Sequence, residues 1–209
     1  MGENPCSGFK LIPDADGNCS AAILINYLKK AFPHIRINWR IHEGKEHGVI
    51  ADEVPLNTGI CIIPDAGSNQ FEEHEKLTQK GIDVLVIDHH ECDEESSYAI
   101  VVNNQLSPNY PNKSLTGAGV VYKVLKGIDE RLGIKLADIY LDLVAVGLIG
   151  DMADSRDLET RYYMIKGLEK INNSFLKALC EKQSYSMKDS VNIVNVQFYI
   201  VPLINGAIR

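Results

Sequence analysis

A chain of 209 residues with 45% apolar content can bury a substantial core, and its formal net charge of −7 argues against a protein that grips nucleic acid over its whole surface. The five cysteines, Cys6, Cys19, Cys61, Cys92 and Cys180, are odd in number and contain no Cys-x-x-Cys pair, which favours reduced thiols over a disulfide frame. No apolar run approaches the ~18 residues of a membrane span, and the opening MGENPCSGFK has no apolar signal core. Residue 6 is Cys where a myristoylation signal wants Ser or Thr. The expectation is a soluble cytoplasmic protein with no membrane partner.

In chain order, FKLIP (9–13), IRINWRI (35–41), GICIIP (59–64), DVLVID (83–88) and YAIVVNN (98–104) read as strands, several apolar enough to be buried on both faces. Helical periodicity lies between them at 19–32, where Ile23, Leu24, Tyr27 and Leu28 share a face, and at 69–80. After the turn-rich NNQLSPNYPNKS (103–114) the pattern becomes helical, over 117–132, 136–150, 158–171 and 174–184. Alternating strands and helices predict an α/β fold: a mostly parallel sheet flanked by helices, with a helical C-terminal subregion. We expect one domain over 1–209, its sheet half at 1–113 and its mainly helical half at 114–209.

Four apolar elements end in acid or imidazole. LIPDADG delivers Asp14 and Asp16, CIIPDAG delivers Asp65, VLVIDHHE delivers Asp88, His89 and His90, and LDLVAVGLIGDMAD delivers Asp151 and Asp154. Taken singly, a D-x-D after a strand is a turn and helix start, with Asp16 or Asn18 capping the helix, and an Asp near Gly67 is an ordinary strand-end turn. Together they converge at the carboxyl ends of parallel strands, where open α/β sheets form their sites. Crowded carboxylates stay ionised only beside cations, and oxygen donors mixed with imidazole suit Mn²⁺ or Mg²⁺. The pattern predicts a metal cluster.

These stretches resemble the DHH phosphoesterases, and among them the RecJ-like single-stranded-DNA-specific exonucleases. The similarity rests on DADG with SAA following (14–22), PDAG (64–67), VIDHH (86–90) and VGLIGDMAD (146–154), supported by SLTGAGVVYKV (114–124) and VPLINGAIR (201–209). The resemblance implies a two-metal hydrolase of phosphodiester bonds, with Mn²⁺ favoured over Mg²⁺, acting on single-stranded DNA or short oligonucleotides. Asp14 and Asp65 would hold one metal, and Asp16, Asp65, His89 and Asp151 the other. His90 and Asp88 would be catalytic, His90 facing the scissile phosphate and Asp88 orienting His89. Ser114, Gly117 and Gly119 at a helix start would offer N–H donors to a phosphate, as would the side chain of Arg209, with Arg156 or Arg161.

The sequence departs from the family where relatives carry a further ligand ahead of the D-x-D, since Lys10 and Ile12 stand there. The resemblance also covers the catalytic DHH domain without the DHH-associated second domain, which leaves three expectations open: a fragment, a natural minimal phage-like or accessory form, or one half of a site completed by a protein partner that supplies that domain. The alternative function is a weakened or inactive RecJ-like module acting as a binding or scaffold unit. A family-II-like pyrophosphatase and a cyclic-dinucleotide hydrolase share the metal scheme but nothing selects them here.

Overall fold

The computed structural model describes residues 6–11, 14–41 and 48–208. Its sheet has five parallel strands, β1 (Cys6–Leu11), β2 (Arg36–Ile41), β3 (Thr58–Pro64), β4 (Asp83–Asp88) and β5 (Ile100–Asn103), in the order β2-β1-β3-β4-β5. Helix α1 (Ala15–Ala31) connects β1 to β2, and α2 (Phe71–Gln79) connects β3 to β4. The helical half contributes α3 (Gly117–Leu132), α4 (Leu141–Gly150), α5 (Leu158–Leu168), α6 (Ser174–Lys182), α7 (Ser184–Met187), α8 (Ile193–Asn195) and α9 (Val201–Ile208).

The two sides of the sheet bury different sets of side chains, as the period-two alternation of strands requires. In β3, Ile62 joins a core with Ile23, Tyr27, Ile87, Val121, Leu125, Val144 and Leu148. Its neighbours Cys61 and Ile63 point the other way, into a smaller core with Val49, Leu77, Val84 and Val86. The larger core continues through α4, whose residues Asp142–Ile149 are all buried, to Val196 and Ile200. Tyr27 Oη donates to Asp129 Oδ1 at 2.8 Å and ties α1 to α3.

Among the differences from the sequence expectation, two have clear physical reasons. The expected helix at 19–32 begins at Ala15, because Asp14 is its cap: Asp14 Oδ1 accepts from Gly17 N at 2.8 Å. That corrects the assignment of capping to Asp16 or Asn18. Residues 193–208 are helical although NIVNVQFYIV is rich in β-branched residues, so local propensity gave no helix there. This helix widens into a π turn over Val196–Ile200, just ahead of Pro202, which lacks the N–H a regular helix would use. Residues 12 and 13 lie outside the described residues, and so does Arg209. Among the described residues, no helix is long and apolar enough to cross a membrane.

Candidate metal centre

In the order β2-β1-β3-β4-β5 the chain runs outward from β1 in both directions, so the topological switch falls between β1 and β3. Crevices at such switch points, beyond the carboxyl ends of the strands, are where open sheets build sites. Asp16 is the second residue of α1, Asp65 directly follows β3, His89 directly follows β4, and Asp151 caps the C-terminus of α4.

The donor atoms meet around the His89 ring. His89 Nε2 lies 3.2 Å from Asp65 Oδ1, 3.8 Å from Asp151 Oδ2 and 4.0 Å from Asp16 Oδ2. Ligand atoms of Asp16, His89 and Asp151 all lie within 4.8 Å of one another, and the same holds for Asp65, Asp88, His89 and His90. Asp16 is 2% exposed and Asp65 1%, whereas the Asp151 side chain is 44% exposed and forms the open wall. The set is thus buried on one side and open to solvent on the other.

How Asp16 is held explains which of its oxygens is available. Oδ1 accepts from Thr116 Oγ1 at 2.8 Å and from Ala118 N at 3.1 Å, both at the start of α3. Oδ2 has no hydrogen-bond partner among the described residues, nor has Asp65 Oδ1. A buried carboxylate oxygen without a donor is costly unless a cation meets it. The residues present therefore fit divalent metal binding: hard oxygen donors plus one imidazole, two of the oxygens otherwise orphaned.

Electrostatics agrees. Burial raises the Asp65 carboxyl well above its ordinary range, reinforced by the charges of Asp16 and Asp14. Burial likewise raises Asp16, against the pull of His89, and raises Asp151, with Asp16 adding to the effect. Three crowded acids thus resist ionisation, which a bound cation would reverse.

Glycines make the room. A Cβ on Gly117 would lie 2.1 Å from Asp65 Oδ1, and one on Gly147 would lie 2.5 Å from Asp16 Oδ1. Asp65 itself has φ +61°, a left-handed conformation that Asp tolerates better than most residues. That kink turns the chain sharply at the end of β3.

Asp88 differs from its expected role. Its Oδ1 accepts from His90 Nδ1 at 2.7 Å, from His89 N at 2.7 Å and from His90 N at 3.2 Å, while Oδ2 accepts from Ser68 N at 3.1 Å. Burial opposes ionisation there, but the His90 ring and Ser68 outweigh it and hold the carboxyl well below its usual range. The imidazole that Asp88 orients is therefore His90, not His89. The hydrogen bond that the His90 ring donates to Asp88 also raises that ring above its ordinary value.

Other expected contacts are placed elsewhere. Asp14 is absent from both groups of converging donors, and its Oδ1 is occupied as the helix cap. At the start of α3, Ala118 N is engaged by Asp16 Oδ1. Gly119 faces inward, where an added Cβ would strike Leu115 at 2.9 Å, and Ser114 N donates to Asn112 Oδ1 at 2.9 Å within its own turn. Arg156 binds Asp154, with Nη2–Oδ2 at 2.6 Å. Arg161 lies exposed on α5. Thr116 and Gly147 were not picked out from the sequence, although both lie inside the quoted motifs.

Sheet topology and donor set together define an α/β protein with a cluster of carboxylates and imidazole, able to hold a metal, at its switch point. The chain belongs to the DHH family: residues 10–148 match that family's N-terminal domain. It is 56% identical over 196 residues to YorK of Bacillus subtilis, provisionally named an SPbeta prophage-derived single-strand DNA-specific exonuclease, covering 94% of this chain and 34% of YorK. It is 35% identical over 204 residues to the single-stranded-DNA-specific exonuclease RecJ of Thermus thermophilus, covering 94% of this chain and 29% of that protein. A crystal structure of exonuclease RecJ bound to manganese superposes with a TM-score of 0.85 at 30% identity, over 97% of this chain and 53% of the other. The chain thus spans about a third of the length of these curated relatives.

Proposed function

We propose that this chain is the catalytic domain of a divalent-metal-dependent nuclease that hydrolyses phosphodiester bonds in single-stranded DNA or short oligonucleotides. The observation that carries the reading is the approach of Asp16, Asp65 and Asp151 to the His89 ring, with two buried oxygens of Asp16 and Asp65 lacking a donor among the described residues. The names of the relatives, single-strand DNA-specific exonucleases, supply the substrate class. The manganese in the similar RecJ structure supports Mn²⁺ as the metal. A core shared by α1, the sheet, α3, α4 and Ile200 supports a single domain.

In this reading Asp16, Asp65, His89 and Asp151 hold metal, and Asp14, whose charge reaches Asp65, completes a second site. Two divalent cations held there supply Lewis acidity, a lowered pKa for water and neutralisation of charge at phosphorus. The protein's own contribution is placement. Thr116 and Ala118 fix Asp16 so that Oδ2 faces the centre. Asp88 binds His90 Nδ1, leaving Nε2 of a half-exposed ring to face the crevice, where it donates to a phosphate oxygen or protonates the leaving oxygen. Gly117 lets the start of α3 come close to Asp65.

The test is hydrolysis of 5′-labelled single-stranded DNA and of a short oligoribonucleotide, titrated with Mn²⁺ and then EDTA, beside Asp65→Asn. Asparagine removes the charge while tolerating the left-handed backbone at this position. Metal-dependent cleavage that the variant loses is the expected result. Equal cleavage by the variant would overturn the assignment of the site, and Mn²⁺ binding without cleavage would favour the binding or scaffold module.

A further inference from the structure

We propose that Asn103 is a positioning residue for hydrolysis, acting through the main chain of His90; the inference rests on the role given to His90 above. Asn103 ends β5 and is in register with Asp88, the last residue of β4. Its side chain is buried. Nδ2 donates to Ser68 Oγ at 2.9 Å and to the His90 carbonyl at 2.9 Å, and Oδ1 accepts from Gln105 N at 2.8 Å. Both amide protons and the oxygen are therefore engaged.

The two groups that receive those protons hold the two ends of the Asp88–His90 couple. Ser68, on the loop after β3, donates its N–H to Asp88 Oδ2. His90, on the loop after β4, donates from its ring Nδ1 to Asp88 Oδ1. One amide thus bridges both loops behind the couple. The His90 ring is 53% exposed, held by Asp88 and resting against His89 with ring centroids 4.4 Å apart. Its aim follows the main chain at residue 90, and Asn103 holds that main chain by its carbonyl.

Asn103→Asp is nearly isosteric, keeps the acceptor for Gln105 and removes both donors. We expect kcat on single-stranded DNA to fall roughly 10- to 100-fold, the range typical of groups that orient a ligand or catalyst from behind. KM and Mn²⁺ affinity, measured by calorimetry, should stay within about twofold, since Asp16, Asp65, Asp151 and the His89 ring lose no hydrogen bond. Two readouts separate positioning from mere structure. In a His90→Ala background, Asn103→Asp should cost almost nothing further, because its route of action is gone. In the metal-free protein, ¹⁵N NMR of the His90 ring should show the Nδ1–H form give way to a mixture of tautomers. If Asn103→Asp does not fold, Asn103→Ser, which keeps one donor, carries the same tests with a smaller loss.

Full kcat in the variant, additive losses with His90→Ala, or an unchanged His90 tautomer would each overturn the inference. Asp65→Asn in the same assay separates it from the underlying reading. If Asp65→Asn is inactive and Asn103→Asp is not impaired, only the role of Asn103 fails. If Asp65→Asn retains full activity, the site assignment fails and Asn103 with it.

Discussion

Replacing Gly147 by alanine tests whether the carboxylate cradle is built by backbone proximity. In an unconstrained helix the change is stabilising by about 1 kcal/mol. Here the new Cβ would stand 2.5 Å from Asp16 Oδ1 and 2.5 Å from the Ala118 Cβ, closer than real Cβ atoms approach anything. Neither neighbour can easily give way. Ala118 is wholly buried at the start of α3, and Asp16 Oδ1 is already tied to Thr116 Oγ1 and Ala118 N. Overpacking of this kind costs about 1–3 kcal/mol, and weakening one hydrogen bond to a charged group adds about 1.5–3 kcal/mol. Net of the helix gain, Gly147→Ala should destabilise by about 1.5–5 kcal/mol. Displaced Asp16 should also lose Mn²⁺ affinity roughly 10- to 100-fold. Urea unfolding of the metal-free protein and calorimetric Mn²⁺ titration give the two numbers. A variant as stable as the parent with unchanged Mn²⁺ affinity would refute the close-approach argument.

Four further outcomes are expected. Thr116→Val keeps shape but removes the donor to Asp16 Oδ1, and should lower Mn²⁺ affinity roughly 10- to 100-fold; unchanged binding by calorimetry would mean Ala118 N alone suffices. Asp65→Asn should abolish hydrolysis yet leave the metal-free protein at least as stable, because it removes a charge that burial and Asp16 both disfavour; a large loss of stability by urea unfolding would contradict this. Mn²⁺ at 100 times its Kd should stabilise the chain by about 2.7 kcal/mol for each site filled, reversibly with EDTA, and a thermal transition blind to Mn²⁺ would count against the metal centre. Glu159 is held down to about 2: burial works against ionisation, but Lys123, Tyr110, Asn112 and Tyr163 all donate to it. A depressed carboxyl contributes stability above its unfolded pKa and loses it as pH falls towards the folded one. Glu159→Gln should therefore cost about 1–2 kcal/mol at pH 7, after discounting for solvent screening, and flatten the acid limb between roughly pH 4.5 and 2. Parallel urea curves for parent and variant at pH 7 and pH 3 would decide it.

What the sequence made legible follows from where the physics is local. β4 reads as a strand, and DVLVID coincides with its observed limits, because a strand buried on both faces is a continuous apolar run. The approach of Asp16, Asp65 and Asp151 to His89 was readable because each follows an apolar element, and parallel strands deliver their ends to one edge. Thr116 acts on Asp16 across 100 residues and Asn103 on Ser68 across 35. No local pattern carries a hydrogen bond of that span, so these supports needed coordinates. The assignment of Asp88 to His89 failed for a related reason. Adjacent histidines offer no spacing rule for which ring turns towards the acid, and here the backbone at 89 and 90 folds over Asp88 so that the second ring closes the contact.

The same residues also explain why the helical half is packed so closely onto the sheet half. Asp16 leaves the sheet edge on α1, yet its oxygen is held by α3 and its room is granted by Gly147 of α4. Asp65 leaves β3, yet its room is granted by Gly117 of α3. Any slip of α3 along α1 would break the grip on Asp16 and drive a helix backbone into Asp65 at once. The buried pair Tyr27–Asp129 resists that slip at the far end of the same two helices, with Asp129 Oδ2 also accepting from the main-chain N–H groups of Leu136 and Ala137. Precision at the carboxylates thus depends on a helix–helix register fixed at both ends, which is why polar residues deep in this core, costly in themselves, sit where the register is set.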